Sequence, residues 1–222
     1  HQVVSIKETN GIADSILDLI GATPLVRFRK IVPPNSAEVL GKMESRNPGG
    51  SVKDRIASAM ITAAEDEGII QPGDTIVEAT SGNTGVGLAL VAAVKGYKLI
   101  VTMPESMTEE RRRLVSRFGA DLVLTPAAEG MSGAVNAAEE LGKLPRHFLP
   151  RQFDNVANRK AHFENTGPEI FEQTAGKVDA FICSVGTGGT LAGTGMALKE
   201  RNSEIIIGLA DPLGAALHSF YT

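Results

Sequence analysis

Three short segments of the 222-residue sequence combine residue types that can do chemistry. In the first, Asn47-Pro48-Gly49-Gly50-Ser51-Val52-Lys53-Asp54-Arg55, the proline and glycines predict a turn. Ser51 with Asp54 three residues on has the spacing of a capping box, so a helix is expected from Val52 with Lys53 in its first turn. At helical spacing Lys53 shares a face with Ala57, Met60, Ile61 and Ala64, an apolar stripe. A helix N-terminus opposes a cation by about 0.3–1 kcal/mol. Desolvation disfavours the ammonium further, so both effects lower the amine's pKa. A neutral amine is a nucleophile able to form a Schiff base. A lysine that snorkels to solvent beside an ordinary helix cap fits the same spacing, and the spacing alone leaves both readings open.

The second segment, Thr80-Ser81-Gly82-Asn83-Thr84-Gly85, follows a strand-like run and precedes a helix-like one. Backbone N–H groups and hydroxyls there make a site for a small anion such as a carboxylate. The other reading is a plain strand-to-helix turn with Ser81 or Thr84 as its cap. The third segment, Gly186-Thr187-Gly188-Gly189-Thr190, has the same placement, and its small residues suit a phosphate, with the Thr187 and Thr190 hydroxyls adding hydrogen bonds. Leu191 follows where a P-loop would carry lysine, which argues against a nucleoside triphosphate; a glycine-rich turn without a ligand stays open. Gly85-Val86-Gly87 with Glu105 superficially suits a dinucleotide fingerprint, but Leu90 stands where the third glycine is needed, so nicotinamide binding is disfavoured.

The remaining candidates are weaker. Cys183 is the only cysteine, sits in an apolar run, and is read as a buried inert thiol; a single cysteine also suits a reducing cytoplasmic setting. The histidines at 1, 147, 162 and 218 show no metal-ligand spacing, so no metal site is expected. Arg111, Arg112 and Arg113 after Glu109 and Glu110 read as a solvated helix face. With 22 Lys+Arg against 26 Asp+Glu, and no basic stripe, neither nucleic acid nor an anionic membrane surface is an expected partner.

Positioning these segments requires alternating elements. Strand-like runs lie at 75–79, 98–103, 122–124, 180–185 and 205–209, and helix-like stretches at 86–95, 108–118, 132–141, 158–174 and 191–200. Strands this apolar suit a parallel sheet covered on both faces, which predicts an α/β fold, doubly wound. Residues 145–158, rich in Pro, Arg and Asn, interrupt the alternation and are the expected domain crossing. The composition, 42% hydrophobic and 22% charged, excludes collagen-like, disulfide-scaffold and disordered classes. No apolar run is long enough to span a bilayer, and the N-terminus, lacking Met and a signal-like run, reads as a trimmed end.

An apolar-face lysine, an anion loop and a phosphate loop together suit an aldehyde cofactor with a phosphate handle and an amino-acid carboxylate. Pro48 to Arg55, Thr80 to Gly85, Met103-Pro104-Glu105-Ser106-Met107, Pro150-Arg151-Gln152-Phe153-Asp154-Asn155 and Gly186 to Thr190 closely resemble the cysteine synthase (O-acetylserine sulfhydrylase) and cystathionine β-synthase family, fold-type-II pyridoxal-phosphate enzymes. The resemblance runs from about Ser15 to Gly214. It implies two lobes, each a mostly parallel sheet flanked by helices: a small mobile lobe at 47–157, and a large lobe at 15–46 and 158–222. It implies pyridoxal 5'-phosphate held by Lys53 as a Schiff base, with Lys53 also moving the substrate's α-proton. Asn83 would bond the ring hydroxyl, and Gly186, Thr187, Gly188, Gly189 and Thr190 the phosphate. Thr80, Ser81, Gly82, Thr84 and Gln152 would hold the substrate carboxylate.

The implied reaction is β-replacement, in which O-acetyl-L-serine loses acetate to give an aminoacrylate and sulfide adds to yield L-cysteine. The form of the Thr80–Gly85 loop favours these synthases over serine/threonine dehydratases, whereas Asp211-Pro212-Leu213-Gly214 keeps cystathionine formation from serine and homocysteine as an alternative. A nicotinamide-dependent oxidoreductase and a non-catalytic binding relative are the alternatives of other classes. Family membership further implies a homodimer and, for some members, capture of a serine acetyltransferase C-terminal peptide. Against the family pattern the large lobe reads as incomplete at its C-terminal end.

Overall fold

The computed structural model describes residues 11–212, which divide into two compact units between Arg151 and Gln152. The division falls within the Pro- and Arg-rich segment at 145–158.

In the first unit a short antiparallel pair, β1 (Leu25–Arg27) and β2 (Leu40–Lys42), precedes helix α1 (Lys53–Asp66). Four parallel strands follow, β3 (Thr75–Ala79), β4 (Lys98–Pro104), β5 (Asp121–Thr125) and β6 (His147–Phe148), in the order β5-β4-β3-β6. Helices α2 (Asn83–Lys95), α3 (Glu109–Arg117) and α4 (Gly130–Gly142) connect them. Thr75 through Glu78 of β3 are all buried, as the apolar reading of these strands requires. The period of two sorts β4: Leu99, Val101 and Met103 join Ala57 and Ile61 of α1 and Leu88 and Val91 of α2 in one core. Thr102 points the other way, where its hydroxyl donates to Ala134 O of α4 at 2.7 Å. Helices therefore cover both faces.

Strand order places the ligand-binding edge. The chain moves outward from β3 to β4 to β5, then returns through α4 to pair β6 with the opposite edge of β3. The order thus reverses at β3, and in open parallel sheets the crevice beyond the carboxyl ends at such a reversal is where ligands bind. The segment leaving β3 there is Thr80–Gly85.

The second unit holds α5 (Val156–Ala161), a five-residue π turn (His162–Thr166), α6 (Gly167–Gln173), β7 (Ala180–Cys183), α7 (Gly189–Arg201) and β8 (Ile206–Leu209), with β7 and β8 parallel. Ile170, Leu198 and Ile205 form its core, with Phe171, Val178, Phe181 and Ile207 against them. The single helix expected over 158–174 is therefore broken by a π turn. Pro168 at the start of α6 has no N–H to donate to the preceding turn, which ends regular α-helical bonding there. The β1, β2 and β6 strands have only two or three residues and show no pattern a sequence window could detect.

Helices α1 and α2 meet at Gly87, where a Cβ would lie 3.0 Å from Lys53 O and 3.1 Å from Ala57 Cβ. Gly87→Val should therefore force the helices apart at a cost of about 1–3 kcal/mol. Urea unfolding is expected to show a lower midpoint at unchanged slope.

Candidate active site

The start of α1 is fixed by a buried polar network. Asn47, 3% exposed, accepts from Gly21 N at 2.8 Å through Oδ1. Its amide nitrogen donates to Glu44 O, Glu44 Oε2 and Ser51 O. Arg55 grips both oxygens of Glu44, Nε to Oε2 at 2.7 Å and Nη2 to Oε1 at 2.8 Å, and Thr23 Oγ1 donates to Oε1 at 2.6 Å. Such a fork pairing fixes angle as well as distance. Burial pushes the Glu44 carboxyl up, but the Arg55 hydrogen bonds and charge, with Thr23 and Asn47, outweigh it and hold Glu44 below its ordinary value.

Asp54 corrects the capping-box expectation. The N-cap is Val52, without a side-chain cap, and Lys53 N donates to Ser51 Oγ at 3.1 Å. Asp54 does not reach back to Ser51; its Oδ2 accepts from Gly49 N at 2.6 Å. Gly50 adopts φ +85°, and a Cβ on Gly49 would lie 2.5 Å from Asp54 Oδ1, so both glycines are required for the turn to close on this carboxyl. Asp54 is fully buried and its Oδ1 has no partner. Burial raises its pKa, against the Gly49 N–H and with the Glu44 charge adding to the rise.

Lys53 is thereby the first residue of α1, its carbonyl against Gly87 and its side chain half-buried. Burial lowers the pKa of its ammonium. Asn83, the first residue of α2, stands one turn before Gly87 on the same helical face, so the starts of the two helices are neighbours. Thr80 and Thr84 are buried, Ser81 is half-buried, and Gly82 and Asn83 are exposed. Gly82 is the N-cap of α2 with no side-chain cap, so neither Ser81 nor Thr84 serves as one; Gly82 N instead donates to Thr80 Oγ1 at 3.2 Å. Gly85 and Gly87, the decoy fingerprint, are packing residues: a Cβ on Gly85 would lie 3.1 Å from Thr80 Cγ2.

The second unit contains the other candidate residues. Gln152 is buried, and its carbonyl accepts from Asn158 Nδ2 at 2.8 Å. Gly186 to Thr190 link β7 to α7, with Gly188 as the N-cap at φ +86°. Thr187 Oγ1 accepts from Asn158 Nδ2 at 2.9 Å and from Gly189 N at 3.4 Å. Thr190 Oγ1 lies 3.1 Å from His162 Nε2, and His162 Nδ1 lies 2.9 Å from Thr166 Oγ1. Asn158 and His162, four residues apart on one face, were not singled out from the sequence; a polar pair at that spacing before Gly167-Pro168 is the signal that could have found them. Cys183 is half-buried rather than buried as expected, and that degree of burial still pushes its thiol up. No cluster of His, Cys, Asp or Glu among the described residues could hold a metal, and no described helix is long and apolar enough to cross a membrane.

Residues 16–221 match the model of a family described as pyridoxal-phosphate dependent enzyme. The chain belongs to this family. A cysteine synthase of Staphylococcus aureus is 55% identical over 200 residues, covering 90% of the chain and 64% of the relative. The chain thus spans less than two thirds of that relative's length. Among solved structures, a hydrogen sulfide-producing enzyme from Fusobacterium nucleatum has a TM-score of 0.89 at 45% identity, over 94% of this chain and 68% of that one. An O-ureido-L-serine synthase has a TM-score of 0.90 at 44% identity, over 94% and 66%. The resemblance to the cysteine synthase and cystathionine β-synthase family is borne out, and with it the fold-type-II α/β architecture.

The residues present fit this family's cofactor. A Cβ on Gly186 or Gly188 would meet nothing within 4 Å, so the loop faces open space. A cavity of about 470 Å³ borders it, lined by Gly186, Thr187, Leu191, Met196 and Ile207 among others. The Thr187 oxygen already accepts twice, which leaves its proton for an outside acceptor. Gly189 N is taken by Thr187 Oγ1 and Ala192 N by Gly188 O, and the N–H groups between them stand at the helix N-terminus, which favours an anion.

Opposite pKa shifts give Glu44 and Asp54 opposite pH signatures. The depressed Glu44 stabilises the fold above its ordinary value near 4.5, and that stability is lost as pH falls through the lower folded value. The raised Asp54 stabilises below its ordinary value near 3.8, and that is lost as pH rises through the higher folded value. Urea unfolding from about pH 3 to 7 should show Glu44→Gln losing the acid-side decline, and Asp54→Asn losing the opposing trend. Glu44→Gln should also cost about 3–5 kcal/mol near neutrality, because the buried charge-assisted fork on Arg55 is lost.

Proposed function

We propose that this chain carries the pyridoxal-phosphate site of a cysteine synthase, which replaces the acetoxy group of O-acetyl-L-serine by sulfide to give L-cysteine. The observation that carries the reading is Lys53: a half-buried amine of lowered pKa on a backbone locked by Asn47, Asp54 and Gly87. The similarity to the S. aureus cysteine synthase supports the substrate choice.

Lys53 would hold the cofactor through Nζ, with Asn83 donating to its ring hydroxyl and Gly186, Thr187, Gly188, Gly189 and Thr190 holding its phosphate. Thr80, Ser81, Gly82, Thr84 and Gln152 would bind the substrate carboxylate, fixing the Cα–H bond toward Lys53. The bound cofactor's pyridine ring supplies an electron sink for the charge that develops at Cα. Once the substrate amine has displaced Nζ from the cofactor, the freed Lys53 Nζ would take the Cα proton as the Cβ–O bond breaks and acetate leaves, and would return it once sulfide has formed the Cβ–S bond. A small lobe at 47–157 would close over the carboxylate against a large lobe at 15–46 and 158–222, excluding water. We further propose a homodimer in a cytoplasmic setting, with a serine acetyltransferase C-terminal peptide as a partner in the substrate site. Asp211-Pro212-Leu213-Gly214, of which 213 and 214 lie outside the described residues, keeps cystathionine formation as the second reading.

The purified holoprotein should show a visible cofactor band that shifts on adding O-acetylserine. Lys53→Ala should abolish the covalent band and lower kcat/KM by more than about 100-fold. Intact turnover in that variant would remove Lys53 from the chemistry. For the acceptor, kcat/KM with sulfide is expected to exceed that with homocysteine, and equal or greater efficiency with homocysteine would replace the first reading by the second.

A further inference from the structure

We infer that His162 is a positioning residue for phosphate binding: from beneath the 186–190 loop, its imidazole turns the Thr190 hydroxyl outward as a hydrogen-bond donor. The inference rests on the pyridoxal-phosphate reading of that loop.

The two hydroxyls of the loop are in different situations. Thr187 Oγ1 accepts from two nitrogens, so its own proton has nowhere to go but outward. Thr190 Oγ1 contacts His162 Nε2 at 3.1 Å, and His162 has 0% exposure, with its other nitrogen 2.9 Å from Thr166 Oγ1. A neutral imidazole has one donor and one acceptor nitrogen, and these two contacts are compatible with either tautomer. If Nδ1 carries the proton, Nε2 accepts from Thr190, the hydroxyl proton is consumed, and the loop presents lone pairs toward an anion. If Nε2 carries it, Nε2–H donates to Thr190 Oγ1, Thr166 donates to Nδ1, and the Thr190 proton is released toward the ligand. A phosphate only accepts at its ionised oxygens, so it binds the second arrangement better and selects it.

The fold places the ring for this task. The π turn at His162–Thr166 separates α5 from α6, and α7 packs closely on it where Gly193 and Gly167 leave room. A Cβ on Gly193 would overlap Arg159 O and lie 2.8 Å from His162 Cβ, and a Cβ on Gly167 would lie 2.5 Å from that of Ala197. The close approach at Gly193, one turn on from Thr190, thus holds the start of α7 over the imidazole.

The test compares pyridoxal phosphate with pyridoxal, which lacks the phosphate, as ligands of the resolved holoprotein, with binding read by absorbance and fluorescence. His162→Gln, whose amide N–H can stand near Nε2–H, should keep the wild-type preference for the phosphorylated form within about threefold. His162→Asn, whose amide stands near Nδ1, should lose about tenfold or more of that preference while pyridoxal affinity stays the same. In a Thr190→Val background the same substitution should change the preference no further. Equal weakening of both ligands by His162→Asn, or an unchanged preference, would overturn the inference. Nitrogen-15 NMR of the wild-type holoprotein, which needs no variant to fold, should show the proton on Nε2; a proton on Nδ1 would overturn it independently. If the wild-type protein binds neither ligand, the cofactor reading itself fails, which is distinguishable from a preference that merely ignores His162.

Discussion

Helices α1 and α2 touch through main-chain atoms, and the first unit is arranged around that touch. Gly87 has no side chain, so the Lys53 carbonyl can approach within a distance a methyl group would fill. The approach sets where α1 begins relative to α2, and hence where the Lys53 amine and the Thr80–Gly85 loop stand. The Glu44–Arg55 fork and the Asn47 amide serve the same end from the other side, tying the entry of α1 to the β1–β2 region through Thr23 and Gly21. Desolvation acts on Lys53 because its backbone cannot move to carry the amine into water.

Among the described residues a small-residue loop between a strand and a helix N-terminus occurs in each unit, at Thr80–Gly85 and at Gly186–Thr190. The two loops are supported differently. Thr80 is fixed by a bond from within its own loop and by the bare surface of Gly85, whereas Thr187 and Thr190 are fixed from below by Asn158 and His162. A carboxylate, with two oxygens, tolerates some adjustment of the donors around it. A phosphate has more acceptor positions to satisfy together, and a rigid second layer keeps several donors aligned at once.

Much of this was readable from residue order, for definite reasons. The central strands β3 and β4 are largely buried, so their sequences are rich in Ile, Val and Leu with few polar breaks, and the glycine-rich segments stand out because glycine permits the turns. What was not readable depended on distance in the chain or on packing. Glu44 and Arg55 pair across eleven residues with nothing in either's neighbourhood to announce it. Ser51 and Asp54 had capping-box spacing, yet Asp54 turned to Gly49 because that N–H lay closer to a buried carboxyl. The segment from 158 to 174 has helical composition throughout, and its π turn comes from Pro168 and the pressing of α7, neither of which alters the apolar period.

Gly167 and Gly193 set the spacing of α7, Gly193 against Arg159 O and Gly167 against the Ala197 methyl and Thr194 O, and this bears on how the chain can change over time. Where helices are separated by side chains, each substitution at the interface alters the gap, and the elements drift as sequences diverge. Here the gap is closed by backbone atoms and Cβ atoms and is nearly incompressible. Replacements on the outer face of α7, at exposed Glu200 for example, can alter surface chemistry without shifting Thr190. The loop's seat is thus insulated from most of the mutations its own helix can accept, and its neighbourhood is free to acquire new surface properties while the ligand geometry stays fixed.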